Sequence, residues 1–210
     1  MDARLYKGGF GVGSFTQTAG TVITAVIPPG GAGAKTRLTK LVYTSGSTAH
    51  SLNVMKAQHK ALTTAAAAAS QADIVLDDVS TINEADGGTT TETLAANDWV
   101  VVKHTDGTYG EYKVSSVSSL TVTLTSNLVK AVDSGAPVWK MYEPSRPATG
   151  KGFAAQVFKP PVSATTSIGS EHSFAAVAES PDDNQPLLIH SDNGTAAGTI
   201  LLASGIYAKV

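Results

Sequence analysis

Apolar and polar residues alternate over short stretches of this chain, and turn-forming residues separate the stretches. Leu120, Val122 and Leu124 interleave with Thr121, Thr123 and Thr125, the period of a strand with one buried and one wet face. Upstream, Trp99–Thr105 and Thr108–Val117 flank Asp106-Gly107, a strong hairpin signal because Gly accepts a positive φ without steric cost. Val138–Tyr142 reads as a further strand, and Ile74, Val75, Leu76, Val79 and Ile82 read as a first strand and a lid. Short strands with turns between them over residues 73–143 predict a small β-barrel of the SH3-like kind.

Either side of this segment the pattern is looser. Thr21–Ile27 is rich in β-branched residues and stops at Pro28-Pro29-Gly30-Gly31. Arg37–Thr44 and Ser51–Lys56 flank Ser45-Gly46-Ser47-Thr48 and predict a hairpin. Ala65–Ala69 is either one helical turn or a tightly packed loop of small residues. After the proline-bearing linker Glu143–Gly150, strands are expected at Gln156–Lys159, Ser173–Val177, Pro186–His190 and Thr199–Ile206. The expected fold is all-β: a β-sandwich of residues 19–72 plus 144–210, with the barrel of 73–143 inserted into one of its loops. Residues 1–18 read as an extended N-terminal arm, in which Leu5, Tyr6, Phe10 and Phe15 are apolar anchors among glycines. The arm either folds onto its own core or reaches a neighbouring subunit.

Composition narrows the function. Charged residues make up 15% of the chain, well below the roughly 25% of ordinary soluble domains. Thr, Ser, Gly and Ala take their place, giving broad strand surfaces of hydroxyls and small side chains that suit coverage by neighbours. The net charge is −2 and the cations are scattered, so nucleic-acid binding has no electrostatic support. Cysteine is absent, which excludes disulfides, thiolate zinc sites and thiol nucleophiles. The start, Met1-Asp2-Ala3-Arg4-Leu5-Tyr6, lacks a signal-peptide apolar core, and no run approaches the ~18 apolar residues of a membrane span. The expectation is a soluble protein made in a cytoplasm, with no membrane partner.

No stretch carries a complete catalytic motif. Pro29-Gly30-Gly31-Ala32-Gly33-Ala34-Lys35-Thr36 ends like a phosphate loop, but Pro29 and Ala34 stand where glycines are required. The residues after it, Arg37–Tyr43, favour a strand over the helix such a loop must open, so the segment reads as a turn. Gly9-Phe10-Gly11-Val12-Gly13 has neither the preceding strand nor the following helix of a dinucleotide loop. His50, His59, His104, His172 and His190 are dispersed and read as surface or edge-strand residues. Asp77-Asp78 and Asp182-Asp183-Asn184 could donate oxygens to calcium, yet Asp and Asn in such loops more often make turns. Asn193-Gly194-Thr195 matches a glycosylation sequon formally and reads as a loop. Trp99 and Trp139 sit beside valines and are expected in the barrel core rather than on a sugar-binding platform. The expectation is a non-enzyme with no catalytic, cofactor or metal residues.

Two stretches resemble virion structural proteins of tailed bacteriophages. One is Gly20-Thr21-Val22-Ile23-Thr24-Ala25-Val26-Ile27-Pro28-Pro29-Gly30, followed by Thr36–Gly46; the other is Leu187–Thr199. The resemblance is one of texture and covers most of the two outer segments. It implies a capsid decoration (cement) protein, a class that often sits as trimers on the outer head surface and transfers no catalytic residues. It further implies that the partners are the major capsid protein and sister subunits, and that the chain ends on the virion surface after synthesis in the host cytoplasm. The inserted barrel departs from the simplest decoration proteins and leaves a tail or neck role open. A host-surface adhesin is the remaining alternative, and an aromatic content of 6% counts against it.

Overall fold

The computed structural model describes residues 6–12, 15–17, 24–45, 52–82, 91–141, 169–173, 180, 183–191 and 198–209. Among them the regular structure is strand, and every pairing between strands is antiparallel. This bears out the all-β expectation. The chain divides into two compact units: Met1–Lys56 with Ala155–Val210, and Ala57–Ala154.

The first unit contains β1 (Tyr6–Val12), β2 (Phe15–Gln17), β3 (Thr24–Ile27), β4 (Ala34–Ser45) and the first half of β5 (Leu52–Leu62). It also contains β13 (Gly169–Ser173), β14 (Leu187–Ser191) and β15 (Gly198–Lys209). One sheet runs β1-β15-β4-β13, with β2 also on β15. Elsewhere in the unit, β14 pairs with β3 and with Leu52–Lys56 of β5. Alternation on β4 buries Ala34, Thr36 and Leu38, while Lys35 and Arg37 between them are half-buried. Ile27, Met55, Leu187, Leu188 and Ile189 complete this buried set.

The hairpin expected between Arg37–Thr44 and Ser51–Lys56 does not form. The two edges of β4 are taken by β15 and β13, and those of β5 by β14 and β12 (Pro137–Met141), so these consecutive strands pair in different places. The N-terminal segment, in which no strand period is visible, forms β1 on the edge of β15, with Phe10 opposite Gly205. Backbone hydrogen bonding needs no side-chain alternation, so a glycine-rich segment can pair without displaying a pattern. Leu5, residues 143–150 and residues 156–159 lie outside the described residues.

The second unit contains the end of β5, then β6 (Asp73–Val75), β7 (Ser80–Ile82), β8 (Thr91–Thr93), β9 (Trp99–Lys103), β10 (Tyr109–Ser118), β11 (Thr121–Leu124) and β12. Its strands run β5-β12-β9-β10-β11-β6 as a curled half-barrel, and β7 pairs separately with β8. The path returns to its start where Thr63 bridges Leu76. There Thr64 N–H donates to Val75 O at 2.8 Å, and Asp77 N–H to Leu62 O at 2.9 Å. The interior holds Ile74, Leu76, Val100, Val102, Val114, Val122, Leu124, Leu128 and Val138.

Val122 and Leu124 are buried as their alternation demands, but Leu120 is 40% exposed. It sits in the β10–β11 turn, where its carbonyl accepts from Leu76 N–H and its side chain leaves the sheet. Ala65–Ala69 contains no helix. Ala67 bridges Val132 and packs into the interior, the small-residue loop of the two alternatives.

Candidate functional site

The β9–β10 hairpin forms where Asp106-Gly107 predicts it, with Tyr109 opposite Lys103. Thr105, Asp106 and Gly107 make the turn, closed by His104 N–H donating to Thr108 O at 2.8 Å, and Gly107 takes φ +80. Behind the turn His104 is buried at 4% exposure, contrary to the expectation of a surface histidine. Space for its ring comes from Gly110, where a Cβ would stand 2.6 Å from the imidazole. Nothing short of that pairwise arrangement distinguishes His104 from the other four histidines in the sequence. Of those, His59, His172 and His190 lie on β5, β13 and β14, and His50 lies outside the described residues.

The hydrogen bonds around His104 have one consistent direction. Val129 N–H donates to the Tyr112 hydroxyl at 3.2 Å, and that hydroxyl lies 2.9 Å from His104 Nε2. With its lone pair engaged by Val129, the phenol donates to Nε2, which assigns the ring proton to Nδ1. Nδ1–H then faces Thr108 Oγ1 at 3.1 Å, and the Thr108 hydroxyl donates to Asp106 Oδ1 at 2.6 Å. Lys130 Nζ closes the set on Asp106 Oδ2 at 2.6 Å and Thr108 Oγ1 at 3.2 Å.

Burial pushes the His104 pKa below its usual value, with Asp106 acting the other way and Lys130 adding to the fall. Hydrogen bonds from Lys130 and Thr108 hold the Asp106 carboxyl well below the usual carboxylate range. Burial raises the Tyr112 phenol. Both imidazole nitrogens and the Thr108 hydroxyl are thus committed within the network. The arrangement locks a turn to a sheet and leaves neither nitrogen open as a base or a ligand.

A second polar pair lies inside the same unit. Asp98 precedes β9, and its Oδ2 accepts from Ala95 N–H at 2.7 Å, closing a turn in which Asn97 has φ +74. Lys140 lies on β12 opposite Val100, and its Nζ stands 3.4 Å from Asp98 Oδ2. The side chains are 8% and 3% exposed. Beside them is a cavity of about 10 Å³ lined by Lys140, Asp78, Leu76, Val79, Leu94 and Val100 among others. Sequence reading passed over this pair, yet a signal exists: Lys140 shares strand parity with Val138, so a charge is directed at the core face.

Other acidic candidates serve backbone turns. Asp77 Oδ1 accepts from Leu62 N–H at 2.7 Å and Asp78 Oδ1 from Ser80 N–H at 2.8 Å. In the first unit, Asp183 Oδ2 accepts from Gly33 N–H, and Asn184 N–H donates to Ala34 O at 2.9 Å. The glycine-rich loop ending at Gly33 runs directly into β4, so it is a turn, with Gly31 and Gly33 at positive φ. Thr36 is buried in that strand, donating to Gln185 O at 2.8 Å. Among the described residues no group of three or more His, Asp or Glu side chains is arranged to hold a metal ion.

Trp139 is buried as expected, but on the other face of its strand, and Trp99 is not. Trp139 is 1% exposed but points away from the interior that Val138 faces, packing its ring against Tyr109 at 6.0 Å between centroids. Alternation along β12 decides this, because neighbouring residues take opposite faces. Trp99 is half-buried and is likewise outside the interior set. The expected interface residues Tyr6 and Phe10 lie on β1 and Phe15 on β2, where they pair with Ala208, Gly205 and Ile200 respectively.

No protein family, curated protein or solved structure matches this chain.

Proposed function

We propose that this chain is a structural virion protein of a tailed bacteriophage that decorates and stabilises the capsid through protein–protein contacts. The observation that supports it is that the regular structure among the described residues is all strand, in a chain of which only 15% of residues are charged. Weakly charged strand faces are cheap to desolvate, and modest energy per contact is multiplied by the copies in a shell. Sister subunits and the major capsid protein are the partners in this reading, with a trimer as the assembly.

In finer detail, we read residues 1–56 and 155–210 as an outer β-sandwich and the curled second unit as an SH3-like barrel projecting outward. Tyr6, Phe10 and Phe15, with Leu5 ahead of them, are the residues assigned to the shell or a sister subunit. Among the described residues β1 has β15 as its sheet partner, and an edge of this kind accepts a neighbour's strand. Because β1 pairs within its own chain, deleting residues 1–15 would also remove a strand. Replacing Tyr6, Phe10 and Phe15 by Ser is the milder test.

Imaging of particles assembled with this chain should locate it on the head in hundreds of copies, and the triple Ser variant should lose occupancy. A dozen copies or fewer at the neck or tail would favour the tail-component reading. A stable monomer that ignores shells and binds cell-surface glycans would favour an adhesin.

A further inference from the structure

The Lys140–Asp98 pair is unusual for an ion pair. Taking an ammonium and a carboxylate out of water costs several kcal/mol each, so such pairs are seldom buried this deeply. A charge-assisted N–H···O contact normally closes to about 2.7–2.9 Å. On the surface of the same unit Lys130 and Asp106 do so, at 2.6 Å. Lys140 and Asp98, almost fully buried, stand at 3.4 Å. Oδ2 is bonded to Cγ, so the amine lies beside the carboxyl group it would attack.

Three further features of the pocket favour a reaction between the two side chains. The walls beside Lys140 (Leu76, Val79, Leu94 and Val100) are apolar, and an amine becomes a nucleophile once it has given up a proton. Ala95 N–H already donates to Asp98 Oδ2 at 2.7 Å, placing a fixed donor on the oxygen that would carry charge in a tetrahedral intermediate. Asp78 lines the same cavity, supplying a second carboxyl for proton traffic.

We propose that Lys140 and Asp98 condense into an intramolecular amide, an isopeptide cross-link between β12 and the residue leading into β9, with Asp78 carrying the proton. Lys140 Nζ gives up a proton to Asp78, and the freed lone pair attacks Asp98 Cγ to form the C–N bond. The C–Oδ1 bond then breaks, and that oxygen leaves as water with two protons from Nζ, one of them returned by Asp78. An ammonium and a carboxylate become an amide and one water, so no oxidant, activating nucleotide or metal is required. The cavity of about 10 Å³ has room for about one water, the product of the step.

Intact-mass spectrometry of the folded, full-length protein tests this directly. The expected mass is lower than that of the sequence by one water, unchanged by denaturation, and proteolysis should yield a branched peptide joining Asp98 to Lys140. Lys140→Arg, which keeps the charge, and Asp98→Ala should each show the full mass of their own sequence. Asp78→Asn keeps the side-chain oxygen facing Ser80 N–H but cannot carry the proton, so the lighter species should form slowly or not at all. A folded wild-type protein at full sequence mass overturns the cross-link and leaves a plain ion pair. An Asp78→Asn variant that loses water as fast as wild type overturns the role of Asp78.

Discussion

The imidazole of His104 is held neutral because burial penalises its charge and because Tyr112 donates to Nε2, the position a second proton would need. Its folded pKa therefore lies below the usual 6.5. Between the two values the unfolded chain binds more protons than the folded one, so stability is full above the unfolded value and falls as pH drops below it. Urea midpoints at pH 7.5 and at pH 5 should show wild type losing stability on acidification. His104→Asn should lose less, the difference being the contribution of this site. Tyr112→Phe removes both the donor to Nε2 and the acceptor for Val129 N–H, and should cost about 1–3 kcal/mol by the same measurement. The reason His104 could not be picked out in the sequence is physical. Burying an imidazole depends on Gly110 and Tyr112 across the hairpin, and no single residue announces that pairing.

At the level of elements, local pattern was read correctly where a strand has one wet face and a short turn. β11 and the β9–β10 hairpin fall where alternation and Asp106-Gly107 put them. It failed where pairing is decided elsewhere in the chain. β4 and β5 are neighbours in sequence but take their partners from strands more than a hundred residues away or from the second unit's own β12. The two ends of the alternating run Leu120–Thr125 have different fates, and stability should report it. Leu124→Ala should cost about 2–5 kcal/mol, because its side chain is 3% exposed inside the half-barrel. Leu120→Ala, at 40% exposure in the turn, should stay within about 0.5 kcal/mol of wild type. Equilibrium unfolding of the two variants under one condition compares them.

For the whole molecule, the relevant quantity is charge. With a net charge of −2 and few ionisable groups, any large interface this chain makes has little to be screened by salt. Binding to shells, measured by co-sedimentation, should therefore change by less than a few-fold between low and physiological ionic strength. A steep loss with salt would point to charge-driven binding and away from the proposed cement role. The same scarcity of charge makes Asp98 and Lys140 conspicuous, since two of few ionisable residues are placed inside a core.

What the sequence determined by itself was the all-strand character, the Asp106-Gly107 hairpin, the buried face of β11 and the turn nature of the glycine-rich loop before β4. Each rests on interactions a few residues long, so the local pattern contains the cause. Tertiary structure alone decided which strands pair, that the glycine-rich start joins β15, that Trp139 faces away from the interior, and that His104 and the Asp98–Lys140 pair are buried. Those outcomes depend on partners distant along the chain, where hydrogen-bonded edges and available space, rather than local preference, set the result.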